Sequence, residues 1–77
     1  MIFVTNDDRM GKNIRYLRQK NGMSQEALAR LVGIDCPSLD AIEQGILPDI
    51  DAQVLKKIST LFGVDLRTLV ENSLQDA

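Results

Sequence analysis

Cations and amides are the side chains of this chain that could do chemistry, and the chemistry open to them is the binding of anions. Six of the nine basic residues lie between positions 9 and 30: Arg9, Lys12, Arg15, Arg18, Lys20 and Arg30, against Glu26 alone. After residue 30, only Lys56, Lys57 and Arg67 oppose eight acids. The net charge of −2 therefore conceals a basic first part and an acidic second part. Such a distribution steers a charged partner more than its total does. Catalysis is a poor fit. There is no histidine to act as a base or an imidazole ligand, and Cys36 is the only thiol, so neither a triad nor a zinc site can be assembled. Asp49 and Asp51 read as loop and cap acids, because no twelve-residue calcium pattern follows them. Cys36 reads as an ordinary first-turn residue rather than a redox switch. No enzyme activity, cofactor or metal is expected.

Helices must position these groups. Ser24 is a natural N-cap, and Ala27, Leu28, Leu31 and Val32 follow as an apolar stripe at helical spacing. Gly33 then suits a left-handed C-cap. A second short helix starts almost at once, near Asp35-Cys36-Pro37, with the proline tolerated in its first turn. Two short helices joined by three or four residues that include glycine form a helix-turn-helix, which points towards DNA.

The flanking sequence completes the frame. Residues 2–5 (Ile-Phe-Val-Thr) are β-prone and read as a short extended strand or an ordered tail; a strand there would need a partner chain. Asn6, Asp7 and Asp8 are cap candidates for helix 1, which is predicted over about 8–20 with Met10, Ile14 and Leu17 buried and Asn21-Gly22 as its stop. Helix 2 is predicted over about 25–32 and helix 3 over about 36–44, with Leu39 and Ile42 inward. Residues 46–50 read as a loop. Helix 4, capped by Asp51 or Asp49, carries Val54, Leu55, Ile58, Leu61 and Phe62 inward and stops at Gly63. Asp65 caps a short helix 5 with Leu66, Leu69 and Val70, and 72–77 read as a polar, frayed tail.

Seventy-seven residues make one domain (1–77, core about 9–70), and only three aromatics (Phe3, Tyr16, Phe62) leave an aliphatic core suited to packed helices. A lone cysteine fits a reducing cytoplasm. No apolar run is long enough to span a bilayer, and Met1–Val4 is too short for a signal peptide. The expectation is a soluble, cytoplasmic, all-α protein.

The run Leu17-Arg18…Gly22-Met23-Ser24-Gln25-Glu26-Ala27-Leu28-Ala29…Gly33-Ile34…Leu39…Ile42-Glu43-Gln44-Gly45 resembles the phage-repressor and Cro type of helix-turn-helix, the XRE family. The resemblance continues through Pro48, Val54-Leu55-Lys56-Lys57-Ile58, Leu61-Phe62-Gly63-Val64 and Leu69, and covers roughly residues 9–70. It implies a compact five-helix, lambda-repressor-like fold with helix 3 in the major groove and helix 2 across it. It implies an ion pair, Arg18 with Glu43, between helices 1 and 3. It implies that Gln25 reaches a phosphate and braces helix 3. The DNA-binding set is then Ser24, Gln25, Cys36, Pro37, Ser38, Asp40, Ala41 and Gln44, with Lys12, Arg15, Lys20 and Arg30 as phosphate contacts. The implied function is sequence-specific transcriptional regulation by a homodimer on double-stranded DNA. The dimer surface would be helix 5 with the tail, or paired Ile2–Thr5 segments.

Helix 3 departs from that pattern. Cys36, Pro37 and Ala41 offer no bidentate base contact, although Ala41 could touch a thymine methyl. Ser38 and Gln44 could bond a base or phosphate. Asp40 could accept from a cytosine amine, but acids here, Asp35 among them, repel phosphates. The following loop is apolar, Ile46-Leu47-Pro48, where the family often carries basic or amide residues. An exposed Ile46-Leu47 patch would suit a protein partner. The alternative is therefore a protein-interaction module, antitoxin-like or adaptor, on the same fold with weak or no DNA binding.

Overall fold

Local chemistry sets where each helix starts and stops. The computed structural model describes residues 3–5, 8–47 and 49–71. Its elements are β1 (Phe3–Thr5), α1 (Asp8–Lys20), α2 (Gln25–Val32), α3 (Cys36–Gln44), β2 (Asp49–Asp51), α4 (Ala52–Phe62) and α5 (Leu66–Glu71). Ser24 caps α2 by accepting from the Ala27 amide at 3.1 Å. Asp35 caps α3 through the Ser38 amide at 3.0 Å, and Asp51 caps α4 through the Gln53 amide at 2.9 Å. Gly33, Gly45 and Gly63 end the same three helices in the left-handed conformation, with φ of 79°, 74° and 67°. A side chain at these angles would press its Cβ against the following carbonyl, so glycine is the inexpensive choice. The residues after them bond back to the helix: Ile34 to Ala29, Ile46 to Ala41 and Val64 to Ser59, each amide to carbonyl at 3.0 Å. Ile34 and Val64 also pack on the core.

The helices surround one aliphatic core. Met10, Ile14 and Leu17 of α1 meet Leu28, Ala29 and Val32 of α2, Leu39 and Ile42 of α3, Leu55 and Ile58 of α4, and Leu69 of α5. α1 is the central strut, packed on both α3 and α5. Gly11 makes the first contact possible. A Cβ there would lie 2.4 Å from the Ile42 carbonyl oxygen and 2.8 Å from that of Glu43. Asn13 makes the second, its buried amide donating to the Leu69 carbonyl at 2.7 Å.

Three expectations change. Residues 49 and 50, expected in the loop, belong with the cap residue Asp51 to a strand: β2 pairs antiparallel with β1, in register Phe3 with Asp51, Val4 with Ile50 and Thr5 with Asp49. The strand at 3–5 thus finds its partner within the chain, and Ile50 between two acids is buried in the core. Leu31 and Leu61 do not face inward. They are 59% and 43% exposed, and line a groove between α2 and α4 with Val32, Gln53, Lys56, Lys57 and Thr60. The cap candidates Asn6 and Asp7, the loop residue Pro48 and the tail 72–77 lie outside the described residues. Among the described residues no helix is long and apolar enough to cross a membrane.

Candidate nucleic-acid interface

Glu43 is the hub of the α1–α2–α3 arrangement. Its carboxylate, fully buried on α3, accepts from Arg18 Nε at 2.8 Å and Arg18 Nη2 at 3.0 Å. This fork-on-fork contact is the strong form of an ion pair. Arg18 Nη1 donates in turn to the Met23 carbonyl at 2.9 Å, fixing the turn before α2. Gln25 Nε2 donates to Glu43 Oε1 at 3.2 Å, and Arg15 Nε lies 3.8 Å from the same oxygen. Positions 11, 15 and 18 fall on one stripe of α1, so the face where Gly11 admits α3 also carries the cations that hold it.

Asp40 is a second gathering point, half-buried on α3. Gln25 Nε2 donates to its Oδ1 at 3.0 Å, and Gln44 Nε2 donates to its Oδ2. Gln25 therefore braces α3 with both hydrogens of its amide, while its Oε1 faces the Cys36 thiol at 4.0 Å. Among the expected contact residues, Ser24, Gln25, Cys36 and Asp40 line one shallow cleft together with Arg15, Arg18 and Glu26. Pro37 and Gln44 are exposed on α3, and Ser38 and Ala41 are half-buried. Lys12 and Arg30 point to solvent, on α1 and α2. Lys20 lies over the Tyr16 ring, 5.7 Å from its centre, outside the cleft. Ile46 is 67% exposed, whereas Leu47 is half-buried against the core.

Asp35, exposed at the start of α3, has its pKa lowered by hydrogen bonding from the Ser38 side chain and then from the Ser38 amide, which outweigh the small effect of burial. It stays ionised at the helix's positive end.

Two buried residues in this framework carried no chemical motif. Asn13 sits in the apolar stripe of α1, three after Met10, which is the one signal of its burial. Gly11 inside a helix signals close packing.

A helix-turn-helix sequence model matches residues 14–69. The chain belongs to the helix-turn-helix family. It is 39% identical over 56 residues to the HTH-type transcriptional regulator RamB of Mycobacterium tuberculosis. That alignment covers 73% of this chain and 12% of RamB, so the chain spans about an eighth of the curated relative's length. Solved structures share the fold. The restriction-modification controller protein C.AhdI of Aeromonas hydrophila is 31% identical, with a TM-score of 0.72 over 80% of this chain and 92% of its own. The N-terminal DNA binding domain of SinR from Bacillus subtilis is 27% identical, with a TM-score of 0.78 over 87% of this chain and 97% of its own. This helix-turn-helix chain is of the XRE repressor type.

Proposed function

We propose that this chain is a DNA-binding transcriptional regulator of the repressor type, a single helix-turn-helix domain acting as a cytoplasmic homodimer with α3 in the major groove. The observation that carries the proposal is the brace on α3. Arg18 and Gln25 converge on Glu43, and Gln25 also holds Asp40, so α3 is held by α1 and α2 while Pro37 and Gln44 stand outside the core. A fixed helix with an outward face is what base readout needs. Likeness to the SinR DNA binding domain supports the same reading. The phosphate arm would be Arg15, about half exposed at the cleft, with the first amides of α2 beside it. Lys12, Lys20 and Arg30 would add long-range attraction.

Fluorescence anisotropy of the purified chain with its own promoter region and with random duplex, at two salt concentrations, tests this. The reading expects tighter binding to the promoter. It also expects affinity to fall with salt, log K dropping by roughly 0.9 per log unit for each phosphate neutralised. Gln44→Ala should weaken promoter binding roughly tenfold, the loss expected for one base contact, with the melting temperature unchanged. No binding to either duplex at low salt would overturn the reading.

One observation favours a second reading. Ile46 follows its glycine cap as Ile34 and Val64 follow theirs, yet it alone of the three stands largely exposed. With Asp35 and Asp40 nearby in sequence, this suits a protein partner better than a phosphate backbone. If a partner docks there, Ile46→Asp should break its complex and leave DNA binding intact.

A further inference from the structure

One face of α4 is left uncovered by the core. Gln53, Lys56, Lys57, Thr60 and Leu61 recur at the three- and four-residue spacing of a single helix face, about 12 Å long at 1.5 Å per residue. With Leu31 and Val32 of α2 they line an open groove. Leu31 and Leu61 stand there in water, 59% and 43% exposed, one from each helix. Lys57 Nζ leans towards the end of α2, where a Cβ on Gly33 would lie 3.9 Å from it. Among the described residues neither Lys56 nor Lys57 meets a carboxylate. The charge at the groove runs against the charge around it. Residues 31–77 hold eight acids and three cations, yet two of those cations line the groove and no described acid does.

We propose that the α2–α4 groove is a docking site for a short acidic amphipathic helix of a partner protein. Its leucines would cover Leu31, Val32 and Leu61, and its carboxylates would meet Lys56 and Lys57. A helix laid in a groove is held by apolar anchors at i, i+3 or i+4 and i+7, which matches a face two turns long. Charge selects the occupant: both lysines repel a basic segment and attract an acidic one. A phosphate backbone would leave the two leucines in water, which an apolar helix face would not. The groove is separate from the candidate DNA interface. The cleft there takes Ser24, Gln25 and Glu26 from the start of α2, whereas the groove takes Leu31 and Val32 from its end, about 9 Å further along the helix. The two sites are thus open to two different partners.

The test is fluorescence anisotropy of the full-length chain with two labelled helical peptides of about 14 residues, roughly 21 Å of helix. Both carry leucines at i, i+3 and i+7; one has glutamate at its polar positions and the other lysine. The glutamate peptide should bind roughly tenfold more tightly than the lysine peptide. Leu31→Gln with Leu61→Gln keeps good helix formers at two exposed positions. It should weaken the glutamate peptide by roughly tenfold with the melting temperature unchanged. Lys56→Glu with Lys57→Glu should reverse the preference between the peptides. Promoter binding should be unchanged in the leucine variant, so failure of the groove leaves the DNA reading standing. No binding of either peptide, equal affinity for both, or a preference that survives the lysine change would overturn the proposal. So would a dimer of the peptide-free chain in sedimentation that the leucine variant dissolves, since the occupant would then be a second copy. Weaker duplex binding in the lysine variant, without peptide binding, would give the two lysines to phosphate instead.

Discussion

Glu43 and Asp40 sit three apart on one helix, yet their environments give them different tasks. Glu43 is buried and bound by a guanidinium, so removing Arg18 would strand a charge away from water. Arg18→Ala should cost about 3–5 kcal/mol, whereas replacing both partners with apolar residues (Arg18→Met with Glu43→Leu) should cost less than the single change. Urea denaturation of the single and double variants measures the difference, and a double variant less stable than Arg18→Ala would contradict the account. Asp35 answers a pH question. Its folded pKa is depressed, so its contribution to stability is present above the unfolded value of about 3.9 and is lost as pH falls through the folded value. Asn at this position keeps the cap but not the charge. The melting temperatures of wild type and Asp35→Asn should therefore keep a constant gap above pH 5 and converge below about pH 4, as followed by circular dichroism. Sequence made the candidate site visible as positions on two helices. The resemblance implied the Arg18–Glu43 pair and a brace from Gln25 to helix 3, but not the atoms that make them. Nothing in the spacing says that Gln25 turns towards Asp40 and Glu43, because side-chain direction depends on how α2 and α3 meet.

Elements were legible where the signal was local. Ser24, Asp35 and Asp51 are caps by their own chemistry, and three glycines end helices by theirs, so the bounds of α2, α3 and α4 could be read from the chain. Removing the cap at Ser24→Ala should cost about 1 kcal/mol. What depends on contact between elements was not legible. The pairing of β1 with β2 joins segments more than 40 residues apart, and the only local hint is the alternation Asp49-Ile50-Asp51. Leu31 and Leu61 fit their helical stripes, yet α2 and α4 leave them lining an open groove. Leu28→Ala should therefore cost about 2–5 kcal/mol, and Leu31→Ala within about 0.5 kcal/mol of nothing. Gly11→Ala, in contrast, adds one methyl against two backbone carbonyls of α3. It should destabilise by about 1–3 kcal/mol and, by pushing α3 away, weaken any DNA binding as well. Full stability in Gly11→Ala would mean that α1 and α3 do not meet as closely as described.

At the scale of the whole molecule, the uneven charge and the braced helix point the same way. The basic stretch 9–30 supplies α1 and α2, and the acids that outnumber cations after residue 30 lie mostly elsewhere, apart from those on or before α3 itself. A reader of modest affinity is therefore expected, its contacts concentrated on the α2 N-terminus and α3. Amide chemical shifts of the labelled full-length chain, recorded while its promoter duplex is added at low salt, test this most directly. The expected result is movement of the signals of Ser24–Glu26 and Cys36–Gln44, with those of α5 nearly still. Shifts confined to Ile46, Leu47 and α5, or none at all, would contradict the claim that α3 reads DNA.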